Sequence, residues 1–93
     1  MADGVKKYSV EFSSGARKKI DKLDAPVRKR ITEWIEKYLS GTETPRAKGR
    51  PMEGEWYGYW RYRVGDYRLI SKILDDKIII LVVKVDKRND IYK

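Results

Sequence analysis

The chain has 93 residues, 41% hydrophobic and 39% charged, with a formal net charge of +8 and neither cysteine nor histidine. That composition excludes a disulfide framework, a thiolate nucleophile, a Cys-based zinc site and histidine proton transfer, so any catalysis must run on Lys, Arg, Tyr, Asp or Glu. The excess of cations points to a polyanionic partner, whether nucleic acid, an acidic protein or an anionic membrane surface.

A chain this short makes one domain, 1–93, with a thin core, because only about two thirds of its surface is buried on folding. No apolar run approaches bilayer-spanning length, and residues 1–7 carry no signal segment. With cysteine absent as well, the composition fits a reducing cytoplasm.

Tyr8, Val10 and Phe12 alternate with Ser9 and Glu11, the period-two pattern of a strand. Ser13 or Ser14 then caps a helix in which Ala16, Ile20 and Leu23 recur at helical spacing. Asp24 and Pro26 start a second helix, an acid at the cap and a proline in the first turn. Its apolar stripe is Val27, Ile31, Trp34, Ile35, Tyr38 and Leu39, and Gly41 stops it. The two helices are expected as an antiparallel hairpin on one face of a sheet, with Trp34 as a core anchor. Residues 42–55 contain two prolines and two glycines without periodicity and read as a loop. Arg46, Lys48 and Arg50 in that loop are candidate phosphate contacts, or else part of a solvated surface.

Residues 56–93 hold three strand-like runs separated by Gly65-Asp66 and Asp75-Asp76, each compatible with a two-residue hairpin loop. On the first strand, expected from Trp56, parity puts Trp60, Tyr62 and Val64 on one face and Tyr59, Arg61 and Arg63 on the other. A two-residue turn at Gly65-Asp66 pairs Val64 with Tyr67 and sets Arg63 opposite Arg68. Two guanidiniums so placed repel unless neutralised, by a bound phosphate or by an acid such as Asp66. The run IIILVV is apolar on both faces and belongs at the centre of the sheet, delivering Lys84, Lys87 and Arg88 to its end with Tyr92 beyond. The fold class is α+β: a β-α-α-β-β-β order with a mainly antiparallel four-stranded sheet.

There is no phosphate-binding glycine loop, dinucleotide fingerprint, metal-ligand cluster or Ser/His/Asp set, and no cofactor is implied. Asp75 and Asp76 fall in a turn and Glu53 and Glu55 in a loop, so no carboxylate pair is evident for acid–base work. Arginines and tyrosines on a rigid sheet remain. Arginine matches phosphate as a planar, always-charged fork, and tyrosine stacks on unpaired bases. Such a site can cleave RNA without a metal, since RNA brings its own 2′-hydroxyl nucleophile and needs alignment and charge neutralisation. Arginine is a poor base, with a pKa above about 12; a crowded lysine is better suited.

WRYRVGDYRLI, a short acidic turn and IIILVVKVDKRNDIY, ending in KR-x-x-x-Y, together resemble the RelE/ParE superfamily of bacterial toxin–antitoxin toxins, and more closely its RelE branch. The likeness covers nearly the whole chain. It implies a RelE-like fold and a ribosome-dependent mRNA endonuclease acting in the decoding site. Attack by the 2′-hydroxyl leaves a 2′,3′-cyclic phosphate, and an acidic antitoxin wraps and silences the toxin. It also implies a cytoplasmic location in a bacterium or archaeon. By resemblance Arg68 stabilises charge on the phosphate, Arg88 acts at the phosphate or as an acid, and Tyr92 is the C-terminal tyrosine. Arg61 and Tyr59 stand where the best-known member has lysines, one of them its proposed base, which leaves Lys84 and Lys87 as candidates for that role. The chain stops shortly after Tyr92, short of a C-terminal helix that varies in this family; a natural short form and a truncated one both fit. Two other functions share the features: a ParE-like poison of DNA gyrase without cleavage chemistry, and a basic nucleic-acid-binding module.

Overall fold

In the computed structural model, which describes residues 5–87, the alternation after Tyr8 becomes β1 (Ser9–Phe12). Ser13 caps α1 (Ser14–Asp21), its Oγ accepting from the Ala16 backbone N–H at 3.1 Å. Residues 22–24 lead into α2 (Ala25–Tyr38), with Pro26 in the first turn. Asp24 holds the cap position but makes no side-chain cap bond, contrary to expectation. Gly41 ends the helical hairpin with φ +79°, and its N–H donates to the Tyr8 carbonyl at 2.8 Å.

Four further strands follow: β2 (Gly49–Pro51), β3 (Trp60–Val64), β4 (Tyr67–Leu74) and β5 (Ile79–Lys87). The sheet order is β1-β5-β4-β3-β2, antiparallel except where β1 runs parallel to β5. One face is covered. Ala16 and Ile20 from α1 and Ile31 and Ile35 from α2 pack in one cluster with Tyr62, Val64, Leu69, Ile80, Val82 and Val85 of the sheet. Trp34 is half-buried against that cluster, its ring tilted on Tyr38 and Tyr62 with centroids 5.1 and 6.1 Å away.

Three further details differ from expectation. The sheet has five strands, because part of the presumed loop forms β2. This edge strand is built around the fully buried Tyr62, which it faces through Gly49. A Cβ on Gly49 would lie 2.9 Å from the Tyr62 ring, so only glycine lets that backbone approach. The Tyr62 hydroxyl donates to the Pro45 carbonyl, and burial pushes its pKa up to about 12. Second, β3 begins at Trp60, because Gly54 and Gly58 at φ +66° and +96° break the extended chain and put Trp56 in a 3-10 turn (Gly54–Trp56). Third, the β4–β5 loop spans residues 75–78, not two residues, and ends on Ile78 at φ +57°. Ile78 packs against the core, which offsets the cost of a β-branched residue in that conformation.

The Asp75 carboxylate in this loop accepts from the Tyr8 hydroxyl at 2.7 Å and from both Arg46 terminal nitrogens at 3.2 and 2.8 Å. Three segments distant in sequence are tied together there. Arg46 first, and Tyr8 second, hold the Asp75 carboxyl below the usual carboxylate range, and the same bond raises the Tyr8 phenol. A depressed acid stabilises the fold above its unfolded pKa of about 3.9, and that contribution is lost as pH falls through the lower folded value. Asp75→Asn is therefore expected to lower the urea midpoint at pH 7, with the gap to wild type closing below about pH 4. A gap of equal size at both pH values would rule the coupling out.

Candidate nucleic-acid interface

Because side chains alternate along each strand, the residues between the core positions share the face that, among the described residues, no helix covers, here called the uncovered face. Two cross-strand rows define it. Arg50 pairs with Arg61, Arg61 with Ile70, and Ile70 with Lys84. In the next row Arg63 pairs with Arg68 and Arg68 with Asp86. Arg50, Arg63 and Lys84 are exposed, and Arg61 and Arg68 half-buried. Lys72 of β4 and Tyr59, just before β3, share the same parity.

The predicted juxtaposition of Arg63 and Arg68 is present, set by the two-residue turn at Gly65-Asp66. The neutralising acid differs. It is Asp86, whose Oδ2 lies 3.2 Å from Arg68 Nη2, and not Asp66 in the turn. Both partners of that pair stay about 30% exposed (32% and 29%), which limits its strength. The Arg68 Nε is buried with no hydrogen-bond acceptor, so the guanidinium retains donor capacity that the protein does not use.

Not every predicted site residue reaches this face. Arg46 is engaged by Asp75, with its guanidinium 5.6 Å from the Trp60 ring, and Trp60 shares the parity of the core residues. The Lys48 ammonium lies 4.8 Å from the Tyr38 ring at the end of α2. Lys87 shares the parity of Tyr67 and lines a cavity of about 210 Å³ on the helix side, with Asp24, Arg30 and Asp66. Of the loop cations only Arg50 joins the arginine rows, and of the two fallback lysines only Lys84. Arg88 and Tyr92 lie outside the described residues.

Sequence reasoning missed Asp86, Lys72 and Trp56. A β-bulge between Ile70 and Ser71 and the four-residue β4–β5 loop both shift the register that brings Asp86 to Arg68. Lys72 was legible by parity from Arg68 and Ile70, once Ile73 was assigned to the core side.

The chain can be set beside known proteins on this geometry. The family model described as ParE toxin of type II toxin-antitoxin system, parDE, matches residues 10–92. Toxin RelG of Mycobacterium tuberculosis is 33% identical over 86 residues, 92% of this chain and 97% of its own. The mRNA interferase toxin RelE of Escherichia coli is 29% identical over 82 residues, covering 87% and 83%. The crystal structure of the toxin–antitoxin complex RelBE2 from Mycobacterium tuberculosis superposes with a TM-score of 0.79 at 30% identity, over 88% of this chain and 99% of that one. The chain belongs to the RelE/ParE superfamily of toxins of type II toxin–antitoxin systems.

Proposed function

We propose that this toxin, acting through the whole chain 1–93 as one domain, is a ribosome-dependent mRNA endonuclease that halts translation. The observation that carries the reading is the arginine set on the uncovered sheet face, with Arg63 directly opposite Arg68 and Arg61 on the same strand. Rigid strands hold these forks with their repulsion only partly offset by Asp86. A phosphate diester is the ligand that such an array fits. A relative named as an mRNA interferase supports the same reading.

In the reaction the RNA 2′-oxygen bonds to the adjacent phosphorus while the bond from phosphorus to the 5′-oxygen breaks. The products are a 2′,3′-cyclic phosphate and a 5′-hydroxyl end. No water is consumed and no electrons change hands. Negative charge builds on the equatorial phosphate oxygens, where Arg68 and Arg61 donate, and preorganised donors of this kind carry much of the rate. Lys84, which shares a cross-strand row with Arg61, is the candidate to take the 2′-hydroxyl proton. The leaving oxygen takes a proton, a role that resemblance gives to Arg88 or Tyr92. Arg50 and Arg63 hold neighbouring phosphates, and Tyr59 flanks them.

An acidic antitoxin is the partner expected to cover this face and silence the toxin, as charge complementarity favours. The similar structure solved as a toxin–antitoxin complex supports that assignment.

Arg68→Ala is expected to lower mRNA cutting by about a hundredfold, the usual loss for one charge-stabilising donor. Primer extension on mRNA from briefly induced cells checks it: wild type should give cuts phased to codons, and the variant should not. Growth arrest with linear DNA accumulating and mRNA intact would replace this reading with gyrase poisoning.

Asp86 occupies the place a phosphate would take beside Arg68. Asp86→Asn leaves Arg63 and Arg68 uncompensated and is expected to cost on the order of 1 kcal/mol at low salt. Inorganic phosphate should then raise the variant's Tm more than that of wild type. Equal phosphate responses would show that no anion settles between these arginines.

A further inference from the structure

The arginine rows account for phosphate but leave one end of the uncovered face unexplained. There the chain between β2 and β3 makes a compact hydrogen-bonded excursion. Tyr57 N–H donates to Gly54 O at 3.0 Å, Tyr59 N–H to Trp56 O at 2.9 Å, and Met52 N–H to Tyr59 O at 3.0 Å. Gly54 and Gly58 both need positive φ to make it. The excursion presents two aromatic rings. Trp56 and Tyr59 meet edge to face, with centroids 5.1 Å apart and planes at 88°. Neither belongs to the core cluster or packs against it, yet each is half-buried.

Two ammonium groups flank the pair. Lys84 Nζ lies 5.7 Å from the Trp56 ring centroid, and Lys72 Nζ lies 6.0 Å from that of Tyr59. Among the described residues neither lysine is paired with a carboxylate. Ile70, between Arg61 and Lys84 in the cross-strand row, is only 2% exposed although the helices lie on the other side of the sheet. Lys84, beside the Trp56 ring, thus joins the aromatic pair to the cross-strand row that holds Ile70 and Arg61. A solvated surface has no need of two rings fixed at right angles by a glycine-hinged turn. Rings held in this way, next to unpaired cations, offer the π-surface and the charge that a splayed nucleotide needs.

We propose that Trp56 and Tyr59, with Lys72, form a subsite that stacks one unpaired nucleobase of the RNA and holds its flanking phosphate. This rests on the endonuclease reading for its ligand. It assigns the protein a base-recognition element separate from the arginines that neutralise the scissile phosphate. Stacking reads ring size and access, not the hydrogen-bonding edge of the base, so the subsite selects single strands over duplex and favours larger bases.

The test is an anisotropy titration of a short, labelled single-stranded RNA with wild-type protein and the variants Trp56→Ala, Trp56→Phe and Lys72→Ala, each first checked for wild-type urea stability. Trp56→Ala should weaken binding by about tenfold without changing the dependence of affinity on salt, since no phosphate contact is lost. Trp56→Phe should keep most of the affinity, and Lys72→Ala should reduce the salt slope by about one. The subsite is overturned if wild type does not bind the RNA, if Trp56→Ala binds as wild type does, or if Trp56→Phe is as weak as Trp56→Ala. Equal affinity for a duplex of the same length also overturns it. Codon-phased cutting in cells separates the two ideas. Cuts that persist while Trp56 proves irrelevant to binding sink the subsite alone, whereas Trp56-dependent RNA binding without any cuts sinks the nuclease reading and leaves the subsite standing.

Discussion

The pairing of β3 with β4 across Gly65 and Asp66 fixes which residues this protein hides and which it displays. Val64 opposite Tyr67 propagates to Tyr62 opposite Leu69 on the covered side and to Arg63 opposite Arg68 on the other. Because side chains alternate with period two, a slip of β3 by one residue would turn the Arg61 and Arg63 guanidiniums into the core and expel Tyr62 and Val64. Burying unpaired charge costs far more than any single contact here returns. The apolar face thus enforces the cationic one, and neither can change register alone. Gly65 keeps the turn short at φ +60°, and Arg30 Nη1 lies 2.9 Å from where a Cβ would be, so a bulkier residue would meet both backbone strain and a side chain.

Tyr62 extends that constraint to the edge of the sheet. Its ring fills the space against Gly49 and its hydroxyl holds the Pro45 carbonyl, which pins the long connection after α2 at two points. Pairing of β2 with β3 then carries Arg50 to a place opposite Arg61 on the uncovered face. The same connection sends Arg46 the other way, to Asp75. One buried tyrosine thus sorts the cations of a single loop between a structural role and a surface one.

Period-two alternation made much of this legible from residues alone. Parity named Arg61 and Arg63 together, and the two-residue turn put Arg68 across from Arg63. What escaped had physical causes. Residues 49–51 carry a glycine and a proline, which argue against a strand, and they pair only because a buried tyrosine wants a neighbour without a side chain. The acid serving Arg68 was misassigned because Asp75-Asp76 is a good two-residue turn in isolation. The structure instead spends Asp75 on Tyr8 and Arg46 and lengthens the loop. A bulge at Ile70/Ser71 then moves the register once more and brings Asp86 to Arg68. Non-local demands overrode local propensity at each of these places. Trp56 was taken for a strand residue, since two glycines in positive φ leave no trace in apolar periodicity.

A face assembled from mutually repelling cations contributes nothing to its own stability, so the opposite face must hold it. Each like-charged pair near the surface costs on the order of 1 kcal/mol at low salt, whereas one fully buried Ile or Leu returns about 1.5–3 kcal/mol. The core cluster under β3, β4 and β5 therefore keeps these charges together without an anion present. Repulsion stored in this way is released when an anion arrives, and the release adds to affinity. It makes no distinction among anions. Under the proposed function, an acidic antitoxin and an RNA phosphate chain would draw on the same stored energy and compete for the same face. Charge alone can then silence the toxin but cannot choose its substrate. Choice would have to come from groups that ignore charge, and among the described residues of this face the aromatic pair of Trp56 and Tyr59 has that property.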